Sequence, residues 1–140
     1  MLRFVLVLAA IVLGALLLRR FKKKHAQWQA DRHFLDKVLI GLNQALQEVA
    51  VIQDIKSEYD DELEAIRSKI TQYKNDIEYR RTVAPIKFDG FVAMAGDIDS
   101  MGTRLSQIGS RLGRSAGEEN WGFALASGAL ETMADYDTKR

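Results

Sequence analysis

Residues 4–18 form fifteen consecutive positions without a charged or polar side chain. Leu, Val, Ile and Ala fill the run, and Gly14 is its one poor helix former. Arg3 precedes it, and Arg19, Arg20 and Phe21 follow. A bilayer-spanning helix needs about 20 apolar residues, within a range of about 17–25. Arginine stems can lie in hydrocarbon while their guanidinium groups reach the headgroups, which brings residues 1–21 close to that length. The pattern predicts one membrane-spanning helix, with Phe4, Leu8, Val12, Leu16 and Leu18 as the lipid-facing anchor. A cleaved signal peptide carries its basic residues ahead of the apolar core and a small-residue site behind it. Here the dense basic cluster comes after the core and no small-x-small pair stands at the exit, so an uncleaved anchor is expected. A soluble core helix is disfavoured, because nothing polar interrupts any face.

From Trp28 onward a seven-residue register can be written without a break. Its a positions are Trp28, Leu35, Leu42, Val49, Lys56, Leu63, Ile70 and Ile77, and its d positions are Asp31, Val38, Ala45, Ile52, Tyr59, Ile66, Tyr73 and Arg80. All but Asp31, Lys56 and Arg80 are apolar or aromatic. Heptads sustained in this way indicate a coiled coil, or a long helix in an antiparallel bundle. No glycine or proline lies between Val49 and Ala84. The register therefore predicts one helix over residues 26–83, roughly 85 Å long at the helical rise.

The stripe suggests self-association through Leu35, Leu42, Val49, Lys56, Leu63, Ile66, Ile70 and Ile77. Lys56 in the seam either sets register and oligomer number or snorkels from a loose crossover. Phe34, Leu39, Leu46 and Ile55 widen the stripe in its first half, as in a bundle or a higher oligomer. From Tyr59 to Ile77 the stripe narrows and its flanks become charged. In a parallel neighbour Glu62 would face Arg67 and Asp76 would face Arg81, while Lys69 against Lys74 opposes that pairing. Tyr59 and Tyr73 read as core aromatics with wetted hydroxyls.

Pro85 lacks an amide donor and restricts Ala84, so the long helix should end or kink there. Asp89 and Gly90 offer a turn and an N-cap. A second stripe follows at Phe91, Met94, Ile98, Met101, Leu105, Ile108 and Leu112, and Phe91, Ile98 and Leu105 join the self-association set. A hairpin at Pro85 is favoured over a kinked rod because short connections suit antiparallel neighbours. The phase shared by the two stripes argues the other way. Eight of the ten glycines fall between Gly90 and Gly128. Gly109, Gly113 and Gly117 make one small-residue stripe, and Gly102, Ser106 and Ser110 make another. Such stripes let helices approach closely, or else mark a fraying end and a loop. Residues 121–133 are apolar but too few to span a bilayer, and Trp121, Phe123 and Leu125 are expected to contact a partner. Residues 135–140 read as a polar tail.

The fold class expected is all-α. It comprises a single transmembrane helix with its basic stop-transfer cluster (residues 1–25), a long amphipathic coiled-coil helix (residues 26–84) and a glycine-rich helical segment with the tail (residues 85–140).

Charge sharpens this division. The first 25 residues hold six of the 20 basic residues and none of the 19 acidic ones, so the net charge of +1 conceals a basic leader and a body at −5. The only dense positive cluster abuts the apolar run, which disfavours nucleic acid as a partner. Arg19, Arg20, Lys22, Lys23 and Lys24 instead suit lipid headgroups, at roughly 1 kcal/mol each near an anionic leaflet. By the positive-inside rule they place the body in the cytoplasm.

The chain has no cysteine, which excludes thiolate chemistry. His25 and His33 lie eight apart with Asp31 and Asp36 nearby, a spacing that matches no zinc pattern. Asp97 with Asp99, and the run Asp60, Asp61, Glu62, are neighbours on one helix rather than carboxylates opposed across a cleft. No phosphate-loop, dinucleotide or hydrolase motif occurs. No enzyme, cofactor, metal or small-molecule substrate is expected.

The sequence thus suggests a membrane-anchored scaffold that partners the bilayer and itself, or other subunits of a membrane complex. Alternatives are a monomeric tethered adaptor recruiting a partner through residues 121–133, and an effector whose C-terminal stretch perturbs the bilayer. At the level of architecture alone, an anchor joined to a helical rod is also similar to the inner-membrane subunit of a phage spanin, which would require the body outside the cytoplasm.

Overall fold

The first helix, α1 (Leu2–Gln53), runs without interruption from the apolar segment through the basic cluster and into the body. The computed structural model describes residues 2–113 and 120–138, and among these it has four helices and no strand. Gly117, part of one expected small-residue stripe, lies outside the described residues.

The expectation of one helix over residues 26–83 is corrected. α1 stops at Gln53 and α2 (Asp60–Arg80) starts after a turn over residues 54–59. Polar side chains make that turn. The Ser57 amide donates to Asp60 Oδ1 at 3.2 Å and the Tyr59 amide to Ser57 Oγ at 3.2 Å. Short polar side chains of this kind offer backbone donors an alternative to the helix. Asp60, Asp61 and Glu62 then fill the first turn of α2, where carboxylates favour the positive end of the helix dipole. Lys56, expected in the seam, stands exposed in this turn. Val49 before the turn and Leu63 after it are fourteen residues apart, so the heptad phase is kept. The repeat therefore ran straight through a reversal.

The chain reverses again over residues 81–90, as the favoured hairpin requires. Gly90 occupies the N-cap position at φ +81°, a left-handed conformation that glycine adopts without steric cost. Asp89 caps nothing and instead lies 3.8 Å from Arg80 Nη1. α3 (Phe91–Arg111) ends near Gly113, also at positive φ. α4 (Trp121–Thr138) extends beyond the apolar stretch, so residues 135–138 are helical rather than a tail.

The four helices pack in chain order around one core, each antiparallel to the next. Arg81 at the end of α2 reaches Asp36 of α1, while Gln53 of α1 bonds Glu64 near the start of α2. Glu62 meets Arg104 and Tyr59 meets Arg111, which turns α3 against α2. Phe123 of α4 lies over Gly102 of α3, at 2.7 Å from the place of an added Cβ. Among helices that neighbour one another around the core, the backbones of α1 and α4 approach most closely and those of α2 and α3 least.

The stripes expected between chains meet inside one chain. Leu35, Leu42 and Val49 of α1, Leu63, Ile66, Ile70 and Ile77 of α2, and Phe91, Ile98 and Leu105 of α3 are all buried, together with Phe123, Ala126, Leu130 and Met133 of α4. The wide stripe at Phe34, Leu39 and Leu46 is explained in the same way, since these side chains pack against the edge of that core.

Candidate functional site

Residues 2–21 of α1 project from the bundle. Phe4, Leu8, Val12, Leu16 and Leu18 are each about half exposed or more. This part of α1 is long and apolar enough to cross a membrane by length and composition, and none of its most apolar window is buried against the rest of the protein. Arg19, Arg20, Lys22, Lys23 and Lys24 follow it and are exposed.

Where α1 enters the bundle, a stripe at successive four-residue intervals faces the end of α2. It consists of Trp28, Arg32 and Asp36, which share a helix face by that spacing. The Arg32 guanidinium sits 5.2 Å over the Trp28 ring, a cation–π geometry. Arg81 Nη2 donates to Asp36 Oδ1 at 2.7 Å. Three donors here, Trp28 Nε1, Arg32 Nε and Arg81 Nε, are buried without a hydrogen-bond partner. Unmet buried donors are uncommon and costly.

Beside this stripe runs a groove between α1 and the loop that joins α2 to α3. One part, of ≈ 560 Å³, is lined by Lys24, Gln27, Trp28, Asp31, Ala84, Pro85 and Ile86. A second part of ≈ 340 Å³ shares Lys24, Trp28 and Ala84 and adds Phe21 and His25. The groove therefore has one accessible cation, an indole edge and an apolar wall. Sequence reading missed it because its wall comes from a loop some sixty residues away along the chain. The signal that could have pointed to it is the four-residue spacing of Lys24 and Trp28, which puts a cation and an indole on one helix face.

The face between α2 and α3 is polar. Arg104 grips Glu62 with two donors, Nε at 2.5 Å and Nη2 at 3.0 Å. The hydrogen bond from Arg104 holds the Glu62 carboxyl below its ordinary range, and the same bond raises Arg104. The Tyr73 hydroxyl donates to Asp97. Burial first, then that bond, pushes the Tyr73 phenol up to about 12. Arg111 Nη1 donates to the Tyr59 hydroxyl at 3.1 Å. The pairings expected with a parallel neighbour are thus replaced: Glu62 takes Arg104, Arg67 takes Glu64, Asp76 takes Arg80 and Arg81 takes Asp36.

The three expected partner contacts separate. Trp121 and Leu125 remain exposed at 49% and 36%, whereas Phe123 is 1% exposed in the core. Residues two apart on a helix point to nearly opposite sides, while residues four apart share one. His25 and His33 are exposed on α1, and the Gln29 amide nitrogen lies 3.2 Å from His25 Nε2. Among the described residues no group of three or more metal-ligating side chains gathers.

No family model, no curated protein and no solved structure matches this chain.

Proposed function

We propose that the chain is a single-span membrane-tethered helical bundle that recruits another protein through the outer face of α4, without catalysing a reaction. One contrast supports this reading. The residues expected to pair chains are, Lys56 excepted, buried within one chain, while Trp121 and Leu125 remain outside on the first turns of α4, whose Gly122, Phe123 and Ala126 are buried. The apolar run of α1, unburied and followed by five basic residues, supports the tether. The same charges support a cytoplasmic body. A self-associating scaffold has only surfaces outside the seam left to use.

A photoreactive side chain at position 125 of the full chain, expressed in its own membrane, tests recruitment. Adducts to a different protein are expected, lost when Trp121 is changed to Ala. Adducts joining two copies of this chain would favour the scaffold instead. The chain lacks native cysteine, so a single Glu131→Cys variant reports topology. It should resist a membrane-impermeant maleimide in intact cells and react after permeabilisation; reaction in intact cells would place the body outside, as a spanin-like arrangement requires.

A further inference from the structure

We infer that the groove between the first turns of α1 beyond the apolar run and the loop joining α2 to α3 binds the headgroup and glycerol of one anionic glycerophospholipid. The inference rests on the tether reading above and names a ligand for the same end of the molecule.

Position comes first. With Phe21 taken as the last residue in hydrocarbon, Lys24 lies about 5 Å and Trp28 about 10 Å further along the helix. The headgroup region is about 5–8 Å thick on each side of the hydrocarbon core. Lys24, at the membrane end of the groove, therefore stands among the phospholipid headgroups, and Trp28 lies just above them.

Chemistry comes second. Phe21, Ala84, Pro85 and Ile86 give the groove an apolar wall, and Lys24 gives it an accessible cation. Trp28 also lines the groove, and its buried indole N–H lacks an acceptor. A phosphodiester supplies acceptor oxygens and a negative charge. The adjoining glycerol ester supplies apolar surface. Asp31 also lines the groove, but it is nearly buried and already engaged within the protein. A neutral apolar ligand would leave Lys24 and the Trp28 N–H unmet, and a free phosphate would leave the apolar wall wet.

The test is native mass spectrometry of the full chain in a non-ionic detergent, titrated with phosphatidylglycerol or phosphatidylcholine. One phosphatidylglycerol should bind saturably, at least tenfold more tightly than phosphatidylcholine. Lys24→Glu should weaken it at least tenfold. Lys23→Glu changes the same charge one residue outside the groove and should weaken it less than twofold. Trp28→Phe, which removes the indole N–H, should also weaken it, with circular dichroism confirming the fold. Equal losses in the Lys23 and Lys24 variants would overturn the site, leaving only diffuse attraction to a basic cluster. Absence of lipid preference, or displacement by millimolar inorganic phosphate, would overturn it as well. Alkaline extraction separates this failure from failure of the tether: a chain released as soluble protein sinks both readings, whereas one that stays with the membrane and lacks selectivity sinks the groove alone.

Discussion

Gly41 of α1 and Gly122 of α4 stand back to back. A Cβ built on Gly41 would lie 2.8 Å from the Gly122 carbonyl oxygen, and one built on Gly122 would lie 2.7 Å from the Gly41 carbonyl oxygen. Both obstacles are backbone, which cannot rotate aside as a side chain can. Alanine normally gains up to about 1 kcal/mol over glycine inside a helix. Here overpacking reverses the sign, and Gly122→Ala should cost about 1–3 kcal/mol. Gly128 has nothing within 4 Å of an added Cβ, so Gly128→Ala should be neutral or stabilising. Chemical denaturation of the full chain in detergent, followed by circular dichroism, reads both. A Gly122→Ala variant as stable as the parent would mean that α1 and α4 sit further apart.

Glu48 of α1 is buried and accepts the Gly122 amide at 3.0 Å on Oε1. It thus caps the start of α4 from another helix, meeting a backbone donor that has no partner within α4. A carboxylate at that end also favours the helix dipole. Glu48→Ala should therefore cost about 1–2 kcal/mol, the upper range for loss of an N-terminal cap. Amide hydrogen exchange should quicken first in the opening turn of α4. Uniformly faster exchange in all four helices would show that Glu48 supports the whole core instead.

The face between α2 and α3 should respond to pH at both extremes. The Glu62 carboxyl is lowered from 4.5 by Arg104. Its contribution is therefore present above the unfolded value and is lost as pH falls through the lower folded value. Tyr73 is raised from 10.0 to about 12. Its contribution is present below the unfolded value and is lost as pH rises toward about 12. Urea midpoints across pH should form a plateau with two shoulders. Glu62→Gln should flatten the acid shoulder, and Tyr73→Phe the alkaline one. Unchanged shoulders in these variants would assign the titration to other groups.

Lys56 and Leu63 share an a position in the heptad register but differ in burial. Lys56 is exposed in the turn and Leu63 is fully buried. Lys56→Ala should change stability by less than about 0.5 kcal/mol, as at ordinary surface sites. Leu63→Ala should cost about 2–5 kcal/mol through the cavity it leaves. In the same way, polar residues at Leu63, Ile70 and Ile77 should unfold the bundle in a single chain, seen as lost helicity at any protein concentration. Loss of helicity only on dilution would return the seam to an interface between chains.

Helix content, the lone apolar run and the buried stripes were all legible from periodicity, because a helix presents every third and fourth residue to whatever covers it. The division of labour on α4 was partly legible: spacing alone separates Phe123 from Trp121 and Leu125. The turn at residues 54–59 was not, since it uses serine and aspartate instead of glycine or proline and keeps the heptad phase.

The sequence by itself thus determined which residues seek burial and where charge gathers, both of which are properties of a local stretch. Only the tertiary structure decided what covers each stripe. A heptad pattern is equally satisfied by a second chain or by the same chain folded back, and the choice depends on turns and on close approaches such as that of Gly41 and Gly122. The groove at Trp28 is likewise a tertiary product, because its cation and its apolar wall come from segments that only folding brings together.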